Sequence, residues 1–484
     1  MSDPVFVGLD LGTSGLKGVV VSTERDVLAI ARAGYPTSRP APGRAEQDPG
    51  DWRRALREVS GSLAAEVGSD RWGGIGLSGM IPTLTLADAD LEPIGPAITW
   101  EDERAEDEGD ALRSGVGGDE IYRRTGQWVD GRYLLPMWQW IERHEPGRAA
   151  ATRHVLGAKD LLFAQLTGVV ATDPSTATGF GCFRMVDGAW DPTLAGNLLP
   201  RLPDVRASTW VAPLSPRAAD ELGITAGVPV TVGAADSVAG ALAVGAVRPG
   251  DAVSLWGTST VILGVSDALV FDERHRFLVT PLALGDAWGL EMDLVSTGSA
   301  FAWTAMLLGL DDEEAVLELA ARAPFGANGL RFLPFLGPGE QGALWDPSLR
   351  GTVHGLTQTH GREDVARALV EGIAIEHRRC VGVLDDAGVS PHRLIAAGRP
   401  IASTSFVSVI ADASGRTVVR SNVGTSASAL GAALVAAAAG GADVSSGATH
   451  GDSVEPDPSA RAGWDVTSDA HDRLLSALRE DVSG

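Results

Sequence analysis

Val5-Phe6-Val7-Gly8-Leu9-Asp10-Leu11-Gly12-Thr13-Ser14-Gly15-Leu16-Lys17-Gly18-Val19-Val20-Val21 opens the chain with two β-rich runs around a Gly-Thr-Ser-Gly turn. That pattern reads as a β-hairpin. Glycines 12 and 15 let backbone N–H groups approach an anion, Thr13 and Ser14 add hydroxyls, and Lys17 adds a positive charge for phosphates. On its own such a turn reads first as an ordinary Gly-rich hairpin. It has neither the Walker A spacing nor the dinucleotide fingerprint. Asp10 stands on an otherwise apolar strand, placed either to cap the turn or to hold a water on Mg²⁺.

The pattern partly returns in the second half. Val253-Ser254-Leu255-Trp256-Gly257-Thr258-Ser259-Thr260, followed by Val261-Ile262-Leu263, again sets Gly-Thr-Ser between apolar strands. A two-fold pseudo-repeat would account for this, with the two turns clamping a triphosphate from opposite sides. Between the hairpins, Trp52, Leu56, Val59 and Leu63 recur with helical spacing on a helix opening near Asp51. Segments 74–77 and 228–232 read as strands, and 134–140 reads as a packing helix. Val365, Leu369, Ile373, Cys380 and Leu384 mark a long amphipathic helix, with Gly388 suited to its C-terminal cap. Segments 38–50 and 440–458 read as loops. The fold class expected is α/β, in two lobes of similar size that divide between Gly240 and Asp251: residues 1–245 and 246–484.

Composition narrows the function. The 484 residues suffice for about three domains or two large ones, and 44% apolar with 21% charged residues is a globular balance. A formal net charge of −24 repels phosphate backbones and anionic lipids, so no nucleic-acid or membrane partner is expected. Two cysteines, Cys182 and Cys380, make no disulfide framework. No signal peptide is visible at the start. The Ala/Gly-rich run 427–442 is too short and too weakly apolar for a membrane span, and reads as a buried helix. A soluble cytoplasmic protein is expected. Lysine occurs only at positions 17 and 159.

Gly8-Leu9-Asp10-Leu11-Gly12-Thr13-Ser14 resembles the first phosphate motif of the FGGY carbohydrate kinases, members of the actin-like ATPase superfamily. Trp100-Glu101-Asp102-Glu103-Arg104-Ala105 resembles that family's Trp-x-Asp-x-Arg-Ala segment. Lys159-Asp160-Leu161, Leu166-Thr167-Gly168 and Asp173-Pro174-Ser175 resemble its next run. Gly233-Ala234-Ala235-Asp236-Ser237 resembles its catalytic Gly-x-x-Asp turn. Gly329 to Pro334, Trp345-Asp346-Pro347, Arg350-Gly351 and Glu371-Gly372-Ile373-Ala374 resemble its C-terminal signature. The matches span nearly the whole chain in order.

The resemblance implies two actin-like (ribonuclease H-like) lobes with ATP and a sugar in the cleft between them. It makes Asp236 the general base. It sets Gly12, Thr13, Ser14 and Lys17 against the phosphates on one side, with Gly257 and Thr258 on the other. Asp10 would help to hold Mg²⁺, and Ala397, Gly398 and Arg399 would form the adenosine site. Met80, Ile81, Pro82, Asp102 and Asp236 would meet the sugar. The partner implied is a small sugar or polyol, with a ketopentose such as D-xylulose as first choice. Ribulose, erythritol and gluconate types stay open, as does a homodimer. From the residues alone, an actin-like ATPase or a sugar-sensing pseudokinase also stays open.

Departures from the family pattern bear on the substrate. Members acting on xylulose usually carry Gln-Met-His-Gly after Ser-Gly in the substrate loop, and members acting on glycerol carry Gln-Arg-Glu-Thr. Here Ser78-Gly79 leads into Met80-Ile81-Pro82-Thr83, so the groups that read the sugar's hydroxyls must come from elsewhere. Ser237 follows Asp236 where Asn or Gln is usual. The adenosine motif Gly-Gly-Gly-Ala is Ala396-Ala397-Gly398-Arg399, whose two added methyls would crowd adenine while Arg399 could stack on the base or pair with a phosphate. A run at 339–343 reads as a surface-loop change.

Overall fold

The computed structural model describes residues 3–337, 342–424, 426–444 and 450–482. The surface-loop change at 339–341 and part of the 440–458 loop, residues 445–449, lie outside them. Among the described residues, fourteen strands make up the two main sheets. The opening hairpin is β1 (Val5–Leu11) and β2 (Gly15–Val21), antiparallel with Asp10 opposite Lys17. β3 (Val27–Gly34) extends it along the outer edge. On its other side β1 runs parallel to β4 (Trp72–Gly79), with Leu11 beside Gly79. With β5 (Val211–Pro213), β6 (Pro229–Thr231) and β7 (Ala234–Ala235) these complete a seven-stranded sheet of order β5-β6-β4-β1-β2-β3, β7 also pairing with β4.

The second sheet repeats the plan. β8 (Ala252–Trp256) and β9 (Thr260–Ser266) form an antiparallel hairpin. β10 (Leu278–Pro281) and β11 (Trp288–Leu294) extend it beyond β9. β12 (Arg393–Gly398) runs parallel to β8, with Gly398 beside Trp256. β13 (Thr417–Ser421) and β14 (His450–Val454) close the order β10-β11-β9-β8-β12-β13-β14. Each sheet therefore holds a hairpin whose first strand pairs with a parallel strand, and segments 80–82 and 399–401 leave equivalent strand ends.

The helices follow from the apolar spacing. In α1 (Pro49–Val67), Trp52, Leu56, Val59 and Leu63 are all buried in the core of the first sheet. It begins earlier than the expected opening near Asp51, because Asp48 accepts a hydrogen bond from Gly50 N and Pro49 fits the first helical position. α2 (Leu134–His144) is the expected packing helix, with Trp138 fully buried. α3 (Ala158–Thr167) and α4 (Pro174–Thr178) lie beneath the turn that carries Asp236, and α5 (Asp236–Ala243) starts at that residue. α6 (Arg362–Asp386) buries Leu369, Ile373, Cys380 and Leu384, and Gly388 just beyond it takes φ +84°. The 440–458 segment is not all loop: β14 lies in it, an edge strand whose Gly451-Asp452-Ser453 core has no intrinsic strand signal and which forms by pairing with β13.

α7 (Ala427–Ala439) accounts for the Ala/Gly-rich run. It follows β13 in the second half of the chain, yet packs on the first sheet, where a Cβ on Gly8 would lie 1.8 Å from Ala429 O and one on Gly76 1.8 Å from Ala432 O. Its Gly431 would place a Cβ 1.8 Å from Ala239 O of α5. Helix, helix and sheet approach this closely because the facing positions lack side chains. Among the described residues no helix is long and apolar enough to cross a membrane.

Candidate active site

A cavity of about 220 Å³ lies where the two sheets' strand ends converge. Asp236 and Ser237 line it from the start of α5, Trp256, Gly257, Thr258 and Ser259 from the second hairpin turn, and Ala397 and Gly398 from the end of β12. Ala427 and Ser428 close it from the start of α7. Five of the residues singled out from sequence thus meet around one space. Gly257 N donates to Ser259 O at 2.8 Å, closing the turn. Gly398 has φ +121°, and a Cβ there would strike Trp256 O at 2.0 Å, so only glycine fits.

Asp236 is positioned by a buried polar frame. Ser175 Oγ accepts from Ala235 N at 2.9 Å, and both Ser175 and Thr176 hydrogen-bond to Asp173, which caps α4. Lys159, fully buried, donates to Asp160 (2.8 Å) and to Val232 O (2.9 Å) and lies 3.0 Å from Asp173. Burial pulls its ammonium pKa down, but Asp160 and Asp173 outweigh that and raise it. The run from Lys159 to Ser175 therefore works at one remove from the cavity, anchoring the strand end that delivers Asp236. Sequence spacing carries no signal for that role, because the partners lie 60 to 73 positions away along the chain.

The Asp236 carboxylate accepts from Ser237 N at 2.9 Å. Its pKa is held well above the ordinary carboxylate value, first by burial and then by the charges of Asp10, Glu291 and Asp293. Asp10 is buried, accepts from Ser78 Oγ at 3.2 Å, and is likewise raised, burial outweighing Lys17 and Ser78. Glu291 and Asp293, on β11, escaped the sequence reading because nothing in their local pattern marks that strand as facing Asp236.

The first hairpin turn lies on the Asp10 side and does not line this cavity. Gly12 N donates to Gly15 O at 3.2 Å. Thr13 is tied at its carbonyl, which accepts from Gln47 Nε2 at 2.7 Å, and at its hydroxyl, which accepts from Trp100 Nε1 at 3.2 Å. Ser14 is exposed, and Lys17 faces Asp10 across the hairpin.

Several sugar and adenosine expectations meet a different geometry. Asp102 has both carboxylate oxygens engaged, by Arg104 at 2.7 Å each and by Ala45 N at 2.6 Å, so it holds its own turn together. Met80 is buried in the first core, leaving only Ile81 and Pro82 partly exposed. Arg399 turns outward, with 74% of its side chain exposed and Glu313 at 3.6 Å, because the backbone bends sharply at Gly398. Only one of the two extra methyls faces the cavity: alternation along β12 sends Ala396 into the core on the opposite face.

A second cavity, of about 200 Å³, is bounded by residues of both halves of the chain. Trp128, Asp130 and Arg132 line it from the first half, and Val295 and Trp345 from the second. The two halves are tied here: Val279 N of β10 donates to Gly126 O (2.9 Å), and Gln127 Nε2 donates to Val279 O (2.7 Å).

Residues 5–243 match the N-terminal domain of the FGGY family of carbohydrate kinases, and residues 252–440 match its C-terminal domain. The chain is 30% identical over 438 residues to a xylulose kinase of Escherichia coli, 89% of each chain being covered. It is 29% identical to a gluconokinase of Bacillus subtilis, over 76% of this chain and 74% of that one. The crystal structure of xylulose kinase from Rhodospirillum rubrum superposes with a TM-score of 0.90 at 32% identity, covering 99% of this chain and 100% of that one. Two domain models that together take in most of the chain, over a fold with repeated hairpins and a cavity at their junction, place this protein in the FGGY family of carbohydrate kinases.

Proposed function

We propose that the protein transfers the γ-phosphoryl group of ATP to a hydroxyl of a small sugar, with a ketopentose such as D-xylulose as the leading acceptor and Asp236 as general base. The observation that carries this is the meeting of Asp236 with two glycine turns, at Gly257 and Gly398, around one cavity. The backbone of both turns can approach phosphates and base closely, and the carboxylate stands at the edge of that space. Ribulose, erythritol and gluconate types are the alternative acceptors, the last because one of the similar proteins is a gluconokinase.

In the step proposed, the acceptor oxygen attacks the γ-phosphorus, its proton passes to an Asp236 oxygen, and the bond from phosphorus to the β-phosphate oxygen breaks to release ADP. Positioning and charge neutralisation lower most of the barrier, because the transition state is loose. The raised proton affinity of Asp236 suits an acceptor of a late-transferred proton. Gly257, Thr258, Ala397 and Gly398 bind the nucleotide in this reading. Gly12, Thr13, Ser14 and Lys17 approach its terminal phosphates from the other side once the cleft is filled.

Mg²⁺ fits the residues present. Asp10 and Asp236 are neighbouring carboxylates, each raised in pKa, and Lys17 lies beside Asp10. Among the described residues no three His, Cys, Asp or Glu side chains converge on a metal-sized site. That suits an ion held by one or two carboxylates, water and phosphates. Asp10 would hold it through water, and when bound it neutralises charge on the phosphates.

ADP release with Mg-ATP across ketopentoses, ketohexoses, polyols and sugar acids tests the reading. One acceptor is expected to stimulate release, and Asp236→Asn to cut that stimulated rate by about 10²–10⁴-fold with nucleotide binding intact. Release that ignores every acceptor would sink it.

A further inference from the structure

The substrate loop 80–82 brings no polar side chain to the sugar, and Asp102 is occupied in its own turn. The structure supplies other polar groups. Along β11 and just past it, Glu291, Asp293 and Val295 alternate with the buried Leu290, Met292 and Leu294, so the three share the face turned to the cleft. That face runs about 13 Å from Glu291 to Val295. At one end Glu291 faces Ser237, which lines the first cavity beside Asp236. In the middle Asp293 faces Arg132, and Val295 lines the second cavity together with Arg132, Trp128 and Trp345. The strand face therefore runs from beside Ser237 of the first cavity to Val295 in the wall of the second, with Asp293 between.

Groups along this path lack partners within the described residues. Ser237 is 6% exposed and points toward Glu291, yet its Oγ completes no hydrogen bond of normal geometry. Asp293 Oδ1 and the Trp345 indole N–H are shielded from solvent and unbonded. Glu291 accepts a hydrogen bond of normal geometry from Thr280 at 3.0 Å. Unmet polar groups at Ser237 and Asp293, with an indole N–H and an aromatic wall in the cavity that Val295 also lines, suit a polyhydroxylated molecule, whose O–H groups donate and whose C–H face packs on tryptophan. The charges present do not suit an anion. The guanidinium groups in the second cavity are already paired, Arg132 with Asp130 and Arg113 with Asp110, and carboxylates outnumber them.

We propose that Glu291 and Asp293 select the acceptor: they receive hydroxyl hydrogen bonds from an uncharged sugar or polyol that extends from Asp236 toward the Trp128–Trp345 cavity, and they repel an aldonate. This rests on the kinase reading and deepens it. Asp236 and Asp130 also line the two cavities, and the guanidinium groups there are already paired, so a carboxylate-bearing acceptor gains no counter-charge along this path.

The test compares D-xylulose, D-ribulose and erythritol with D-gluconate, in wild type, Glu291→Gln and Asp293→Asn. At least one uncharged compound is expected to exceed gluconate in kcat/KM by about tenfold or more. Each variant is expected to raise that compound's KM by about 10-fold, as for a lost bond to a charged group. The gap to gluconate should narrow and the KM for ATP should stay unchanged. A wild type that prefers gluconate, or variants that leave every acceptor KM unmoved, would overturn the selection while leaving the kinase reading intact. Absence of acceptor-stimulated ADP release would instead count against the kinase reading. Binding followed by tryptophan fluorescence then decides the selection: quenching by an uncharged compound and not by gluconate supports it, and binding of gluconate alone, or of neither class, overturns it. Melting midpoints no lower than that of wild type show that the variants remain folded.

Discussion

Asp236 is buried among the like charges of Asp10, Glu291 and Asp293, and this has a measurable cost. A carboxyl whose pKa is raised on folding favours the folded state below the ordinary carboxylate pKa, and that contribution is lost as pH rises through the raised value. Asp10, Glu291 and Asp293 are shifted the same way, Asp293 to about 7 by burial and by Glu291, with Arg132 opposing. Asp236→Asn is therefore expected to stabilise the nucleotide-free, magnesium-free protein at pH 7. The gain should vanish toward pH 4. Melting curves of both proteins across that range check it; a variant less stable than wild type at neutral pH would contradict it. Lys159 is the opposite case. Its removal leaves Asp160 and Asp173 buried without their cation, so Lys159→Met should cost about 3–5 kcal/mol in denaturant unfolding. A loss below about 1 kcal/mol would show that the frame under Asp236 holds without it.

At the scale of elements, α5 and α7 are the equivalent helices of the two halves, and both begin at the cavity. Their contact depends on Gly431, because a Cβ there would overlap Ala239 O. Gly431→Ala should force the helices apart, cost about 1–3 kcal/mol by overpacking, and weaken nucleotide binding, since Ala427 and Ser428 at the head of α7 line the cavity. Thermal unfolding together with titration of an ATP analogue would show both effects. Stability and affinity equal to wild type would mean that the approach is looser than described.

At the scale of the whole molecule, both cavities are bounded by residues from the two halves, so ligands there bridge them. Sugar and nucleotide bound together are expected to draw the halves closer and exclude water, which would otherwise compete for the γ-phosphate. Small-angle scattering should report a smaller radius of gyration with D-xylulose and a non-hydrolysable ATP analogue than without them. An unchanged radius under saturating ligands would argue against closure.

The hairpins, the long amphipathic helix and the buried Ala/Gly helix were legible because their evidence is local: alternation, 3.6-residue spacing and turn chemistry lie within a few residues of one another. The same holds for both Gly-Thr-Ser turns, whose backbone requirements are written in residue type, whereas the Gly-x-x-Asp turn stood out only through the family resemblance. β14 was not legible, since its weak strand residues pair only because β13 offers an edge. Nor was it legible that Asp102 closes its own turn, that Arg399 swings out, or that α7 crosses to the first sheet. Glu291 and Asp293 read locally as ordinary acids on a strand. Burial, pairing and the sum of distant charges gave these residues their surroundings, and those quantities exist only once the chain has folded.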